Sequence, residues 1–206
     1  MIPQLIRSDD PKITDAIRDA LAAGGVIVFP TDTVYGIGGN AWDDRAVAKA
    51  RRLKHRAAEQ PFALHLAAID RIEPFARLDS RERRWIERLL PGAYTLLLVA
   101  DVAPPCSVKD GKVGVRVPDH PFFSRAMAEV GVPLFGSSVN RSGEPPLIGI
   151  DEMIEQFPEV DLVVEDAVGR AESRERKPAS AILDLTADPP VALRGAVPPW
   201  MSASAC

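Results

Sequence analysis

Two cysteines in 206 residues, Cys106 and Cys206, supply neither a disulfide framework nor a zinc cluster. No His and Cys residues stand at metal-ligand spacings, so no metal site is expected from the chain's own side chains. No apolar run approaches the ~18 residues that suggest a membrane span, and Met1 to Asp10 is too polar for a signal peptide. These absences point to a reduced, cytoplasmic protein with no membrane partner. The common nucleotide signatures are missing too. There is no Walker A lysine loop. The Gly36-x-Gly38 turn is no dinucleotide fingerprint, because Ala41 holds the third glycine position and no acid ends the following strand. A Gly-x-Ser-x-Gly nucleophile elbow is also absent.

What is present is ordinary for a globular chain: 46% hydrophobic and 26% charged residues. A net charge of −4 and a pI near 5.5 argue against non-specific nucleic-acid binding as the main role, while leaving room for a local basic groove. With no repeat and no long linker, one domain over residues 1–195 is expected, followed by a flexible tail, 196–206.

Apolar periodicity and turn residues divide the chain. Residues 8–25 read as a helix, capped by Ser8, Asp9 or Asp10, with Pro11 in its first turn and Ile13, Ala16, Ile17, Ala20 and Leu21 on one face. The stretch from Val26 to Leu66 organises the rest. It opens with a buried strand, VIVF, then Pro30-Thr31-Asp32-Thr33 and a glycine-rich turn at Gly36, Gly38 and Gly39. A helix follows, ending on Leu53-Lys54-His55-Arg56, and then an alternating strand, Phe62 to Leu66. Further helices are expected near Ile69–Phe75, Asp79–Leu90, Pro121–Val130 and Asp151–Phe157. Strands are expected at Tyr94–Val99, Lys112–Val117, Val132–Phe135, Asp161–Val164, Ala181–Leu185 and Val191–Arg194. Residues 101–111 read as an exposed loop and Arg170–Lys177 as a charged one. Interleaved strands and helices with a closing hairpin imply an α/β fold with a mixed sheet.

Three polar clusters follow apolar strands: Thr31-Asp32-Thr33, Ser137 to Asn140, and Arg194. Ligands gather beyond strand carboxyl ends in open α/β sheets, so these clusters are candidates for one cleft, although helix caps and turns favour the same residues. Lys54 and Arg56 at a helix end suit either a solvated face or a phosphate. Arg116 sits in the apolar run VGVRVP and must find an anion, either a substrate carboxylate or an internal acid such as Asp32. His65 faces away from the apolar side of its strand, and His120 reads as a turn or cap residue.

Seven segments carry a resemblance: FPTDTVYGIGGNA (Phe29 to Ala41), Lys54-x-Arg56 followed by PFALHL, PGAYTLLL (Pro91 to Leu98), VGVRVPDHP (Val113 to Pro121), Ser138-x-Asn140 with Ser142-Gly143, Ser180 to Asp184, and Val191 to Arg194. In this order, over nearly the whole chain, they resemble the YrdC/TsaC family of threonylcarbamoyl-AMP synthases. The resemblance implies a YrdC-like twisted mixed β-sheet flanked by helices, with a deep ligand groove. It implies a nucleotidyltransferase that joins L-threonine, bicarbonate and ATP, assisted by Mg²⁺, into threonylcarbamoyl-AMP and pyrophosphate. A downstream threonylcarbamoyl transferase complex would then modify tRNA. By the same resemblance, Thr31, His65, Arg116 and Ser180 hold threonine. Lys54, Arg56 and Arg194 clamp the ATP phosphates, with Lys54 and Arg56 the catalytic pair. Ser138 and Asn140 bind phosphate and adenylate, and Lys112 contacts the nucleotide.

Departures from the family pattern are Ala57 and Gln60 after Lys-x-Arg, Ala93 in Pro-Gly-Ala-Tyr-Thr, Ala181 after Ser180, and Gly195 where proline usually follows the late arginine. Ala93 resembles the YciO branch. With the run Arg51, Arg52, Lys54 and Arg56, these departures frame an alternative: a double-stranded RNA-binding or ribosome-associated protein without synthase activity. A carbamoyl-adenylate former is a third reading.

Overall fold

The computed structural model describes residues 2–167 and 178–202; the expected charged loop Arg170–Lys177 lies outside them. A short edge strand, β1 (Gln4–Arg7), leads to helix α1 (Ile13–Ala22), which buries Ile13, Ile17 and Leu21 on one face. The wholly buried β2 (Ile27–Phe29) follows, then β3 (Gly36–Asn40) and helix α2 (Asp44–Lys54). Next come β4 (Ala63–His65), β5 (Ala76–Arg77), helix α3 (Ser80–Leu89), β6 (Tyr94–Ala100), β7 (Val108–Lys109) and β8 (Lys112–Arg116). Helix α4 (Pro121–Val130), β9 (Leu134–Ser138), helix α5 (Ile150–Gln156), β10 (Leu162–Glu165), β11 (Ala181–Asp184), β12 (Val191–Arg194) and helix α6 (Pro199–Ser202) complete the order.

All strands among the described residues join one sheet in the order β1-β10-β2-β3-β9-β4-β8-β6-β11-β12, with β5 on β6 and β7 on β8. Parallel pairs (β1/β10, β10/β2, β4/β8, β6/β11) stand beside antiparallel ones (β2/β3, β3/β9, β4/β9, β6/β8, β11/β12), so the sheet is mixed as expected. Two apolar layers cover it. Helices α1 and α4 set Ile17, Leu21, Phe123 and Met127 against Ile27, Phe29 and Leu134. The other layer sets Ala46, Ala50, Trp85, Ile86 and Met153 against Val28, Ile37, Leu64, Leu96 and Phe135. Each fully buried aliphatic or aromatic side chain contributes roughly 1.5–3 kcal/mol.

Several boundaries differ from expectation, each for a local reason. The glycine-rich stretch after Thr33 is a strand, not a turn. A Cβ on Gly38 would stand 1.7 Å from the Phe135 carbonyl oxygen, so glycine there lets β3 and β9 approach. The helix then starts at Asp44, capped by the Asp43 carboxylate, which accepts from the Arg45 amide. Ser8 caps nothing; its hydroxyl accepts from the Ala167 amide while Gln4–Arg7 pairs with β10. Residues 69–75 make only one 3₁₀ turn, Ile69–Arg71. Within the supposed loop 101–111, Cys106 and Ser107 are buried and β7 pairs with β8.

The described part of the tail, residues 196–202, includes a short helix. Met201 is 3% exposed, Trp200 packs on the core, and the Arg88 guanidinium lies 3.8 Å from the centroid of the Trp200 ring. Residues 203–206 lie outside those described. No helix among the described residues is long and apolar enough to cross a membrane.

Candidate active site

A cleft of about 580 Å³ lies over the middle of the sheet, walled from β3 round to β12. Its wall includes Thr31, Arg56, His65, Lys112, Arg116, Ser138, Ser180 and Arg194, which bring the scattered motifs together. Lys54 and Asn140 are not on that wall but lie behind Ser138.

Strand β8 forms the axis of the site. Its period-2 alternation puts Lys112, Gly114 and Arg116 on one face, the two cations roughly 13 Å apart at ~3.3 Å per residue. Gly114 leaves the floor between them bare, with Leu97 and Thr95 as its neighbours. Arg116, 4% exposed, donates from NH2 to Asp32 Oδ1 at 2.6 Å and Thr33 Oγ1 at 2.7 Å. The internal acid is therefore one partner of this arginine. Its Nε is buried with no partner. Burial pushes the guanidinium below its ordinary pKa, and Asp32 opposes that shift.

His65 pairs in register with Arg116 on the neighbouring strand. Its ring stands edge-on to Phe29 at 5.6 Å and near Phe123 at 6.3 Å. Nδ1 lies 3.3 Å from the Ala63 carbonyl, which places the proton there in the neutral ring. Burial, reinforced by Arg116, pushes His65 down to about 3, so it is neutral at pH 7. Thr31 donates to the Val34 carbonyl at 2.7 Å, tightening the turn that carries Asp32 and Thr33.

At the other side of the cleft, Lys112 donates to Asp184 Oδ2 at 2.6 Å. Burial would raise the Asp184 carboxyl, but Lys112 and Thr186 outweigh it and hold the pKa below the usual range. Arg194 donates to the Ser180 carbonyl at 2.8 Å and its hydroxyl at 3.2 Å, and that hydroxyl lies 3.0 Å from Thr95 Oγ1. Arg56 rests 4.8 Å over the Phe62 ring and donates to the Pro61 carbonyl at 2.6 Å.

The cationic run Arg51 to Arg56 is not a free basic stripe. Arg51 donates to the Ala57 and Gln60 carbonyls, and Arg52 pairs with Glu159. Lys54, 1% exposed, donates to the Ser138 carbonyl at 2.6 Å and to that of Asn140. Burial, with Arg56 beside it, pushes Lys54 down to about 7. Sequence reasoning missed Thr95 and Asp184 as wall residues. Ser137, part of an expected polar cluster, also stands on the wall, with its Oγ buried and without a partner. Thr95 and Asp184 had a signal: both sit on strands that carry family-like motifs. Among the described residues no group of three His, Cys, Asp or Glu gathers as a cation site.

Residues 19–196 match the family model Sua5_yciO_yrdC, described as Telomere recombination. The chain belongs to this family. A threonylcarbamoyl-AMP synthase of Chromohalobacter salexigens is 34% identical over 161 residues, 75% of this chain and 87% of that protein. The crystal structure of P. abyssi Sua5 complexed with L-threonine matches with a TM-score of 0.82 and 27% identity. That match covers 94% of this chain and 57% of that one, so this chain spans little more than half of that relative. E. coli YciO matches in fold with a TM-score of 0.82 at 24% identity, over 94% of this chain and 95% of that one.

Proposed function

We propose that the chain is an L-threonylcarbamoyladenylate synthase, a cytoplasmic nucleotidyltransferase that makes threonylcarbamoyl-AMP and pyrophosphate from L-threonine, bicarbonate and ATP. The product would feed a threonylcarbamoyl transferase acting on tRNA. One observation carries this reading. A buried arginine with an unclaimed Nε and a lysine share one face of β8, with a bare glycine between them. Such a cleft suits an amino-acid carboxylate at one end and phosphates at the other.

In this reading Arg116 holds the threonine carboxylate, with Thr31, neutral His65 and Ser180 around the rest of the amino acid. Arg56, Lys112 and Arg194 surround the phosphates, and Ser138, held from behind by Asn140, borders the adenylate. The threonine amine adds to carbon dioxide derived from bicarbonate and loses a proton, giving a carbamate. A carbamate oxygen attacks the α-phosphorus, the bond to the bridging oxygen breaks, and pyrophosphate leaves. No protein nucleophile is needed. Positioning, worth up to ~7–11 kcal/mol, and charge neutralisation supply the acceleration. Mg²⁺ enters with ATP, held mainly by the substrate phosphates, as that ion's chemistry favours.

The test is pyrophosphate release from ATP with bicarbonate and Mg²⁺, with and without L-threonine, and with serine as the control. Threonine-dependent release is expected. Its absence from folded protein that binds ATP would remove the synthase reading.

A further inference from the structure

Lys54 is the last residue of α2, where a cation also meets the carbonyl end of the helix dipole. Its side chain does not enter the cleft. Its ammonium donates to the carbonyls of Ser138 and Asn140, and its own carbonyl accepts from the Ser142 amide at 2.8 Å. Three bonds thus join the end of α2 to the turn after β9. The turn is also tied internally: Ser138 Oγ donates to Asn140 Oδ1 at 2.5 Å, and Asn140 Nδ2 donates to the carbonyls of Arg141 and Glu144. Buried carbonyls need donors, and a buried ammonium needs acceptors. Here each satisfies the other. Two residues further on, Arg56 does stand on the cleft wall.

We infer that Lys54 is a positioning residue and not a phosphate ligand: its ammonium holds the Ser138 and Asn140 carbonyls and thereby fixes the Ser138 hydroxyl at the cleft wall. Arg56 remains the cation of this pair that reaches the phosphates. The inference rests on the reading of the cleft as an ATP site.

The experiment compares wild type with Lys54→Met, which keeps much of the stem and removes the donors. Binding of ATP and of AMP is measured for each by calorimetry. A strut predicts that both nucleotides weaken by the same factor, about tenfold or more. It also predicts that combining Lys54→Met with Ser138→Ala costs less than the product of the single losses. A loss for ATP that AMP does not share would overturn the inference. Should Lys54→Met fail to fold, a crystal structure of wild type with a non-hydrolysable ATP analogue decides. The lysine Nζ is expected to remain on the two carbonyls, and Nζ on a phosphate oxygen overturns it. If wild type binds neither nucleotide, the functional reading fails separately. Amide exchange over residues 138–144, measured without ligand, still judges the strut: faster exchange in Lys54→Met supports it, unchanged exchange sinks it.

Discussion

Lys112 and Arg116 share one face of β8, and each is held by an acid of its own: Lys112 by Asp184 and Arg116 by Asp32, both at 2.6 Å. Their carboxylates fix the two cations before any ligand arrives and reduce the penalty of burying charge. The Arg116–Asp32 contact is one-pronged, through NH2 alone, so the guanidinium keeps capacity for a second anion. That is how one arginine can have both an internal partner and a substrate partner.

Arg116→Ala should therefore act twice. Steady-state assays should show the threonine KM rising about 100-fold or more with the ATP KM little changed. Thermal denaturation should show a loss of up to about 3 kcal/mol, because the partly buried Asp32 is left without its cation. An equal loss of ATP affinity would remove Arg116 from the threonine end of the cleft.

Gly114 makes a sharper test of the shared floor. A Cβ there would meet Leu97 Cδ2 at 3.3 Å and Thr95 Cγ2 at 3.7 Å, so the flexible tip of Leu97 must give by a few tenths of an ångström, and the added side chain stands on the cleft floor. Gly114→Val should keep a folded protein, within about 2 kcal/mol of wild type, and lose turnover at least 100-fold. A variant that turns over normally would show that ligands do not cross this floor.

Much of this site was legible because β8 alternates cleanly: an arginine in an apolar strand demanded an anion, and Asp32 was nameable from sequence. The fold around it was less legible. Glycines at 36, 38 and 39 signal a turn locally, yet they form a strand because Phe135 on β9 crosses against Gly38, a contact no local pattern records. Gln4–Arg7 is a half-polar edge strand whose pairing with β10 is equally non-local. Lys54 looked like an exposed cleft cation. Its burial depends on carbonyls more than 80 residues away in sequence.

Acid should reveal His65. Its folded pKa, about 3, lies below the unfolded value near 6.5, so the unfolded chain takes up the proton first. The stability it contributes is fully present above pH 6.5 and is lost as pH falls toward 3, by up to about 3 kcal/mol at pH 4. Denaturant unfolding of wild type and His65→Phe at pH 7 and pH 4 isolates this. Wild type should lose more between the two pH values than the variant, and parallel losses would show that the imidazole is not buried neutral.

Gly195 gives the last test, because its backbone forbids the proline that usually follows the late arginine in the family. Its φ is +77°, and a Cβ on it would lie 3.0 Å from Ala181 Cβ. Proline holds φ near −65°. Gly195→Pro must therefore redirect the chain away from the path that docks Trp200 beneath Arg88 and buries Met201. The expected cost is about 3 kcal/mol, with faster amide exchange over residues 196–202. Gly195→Ala, which permits positive φ at a smaller penalty, should cost about 1 kcal/mol and leave exchange near wild type. If the proline variant melted with wild type, the docked tail would contribute nothing to stability, and Ala181 with Gly195 would be neutral drift. If it melted early with turnover intact, these two departures would belong to tail docking and not to the active site.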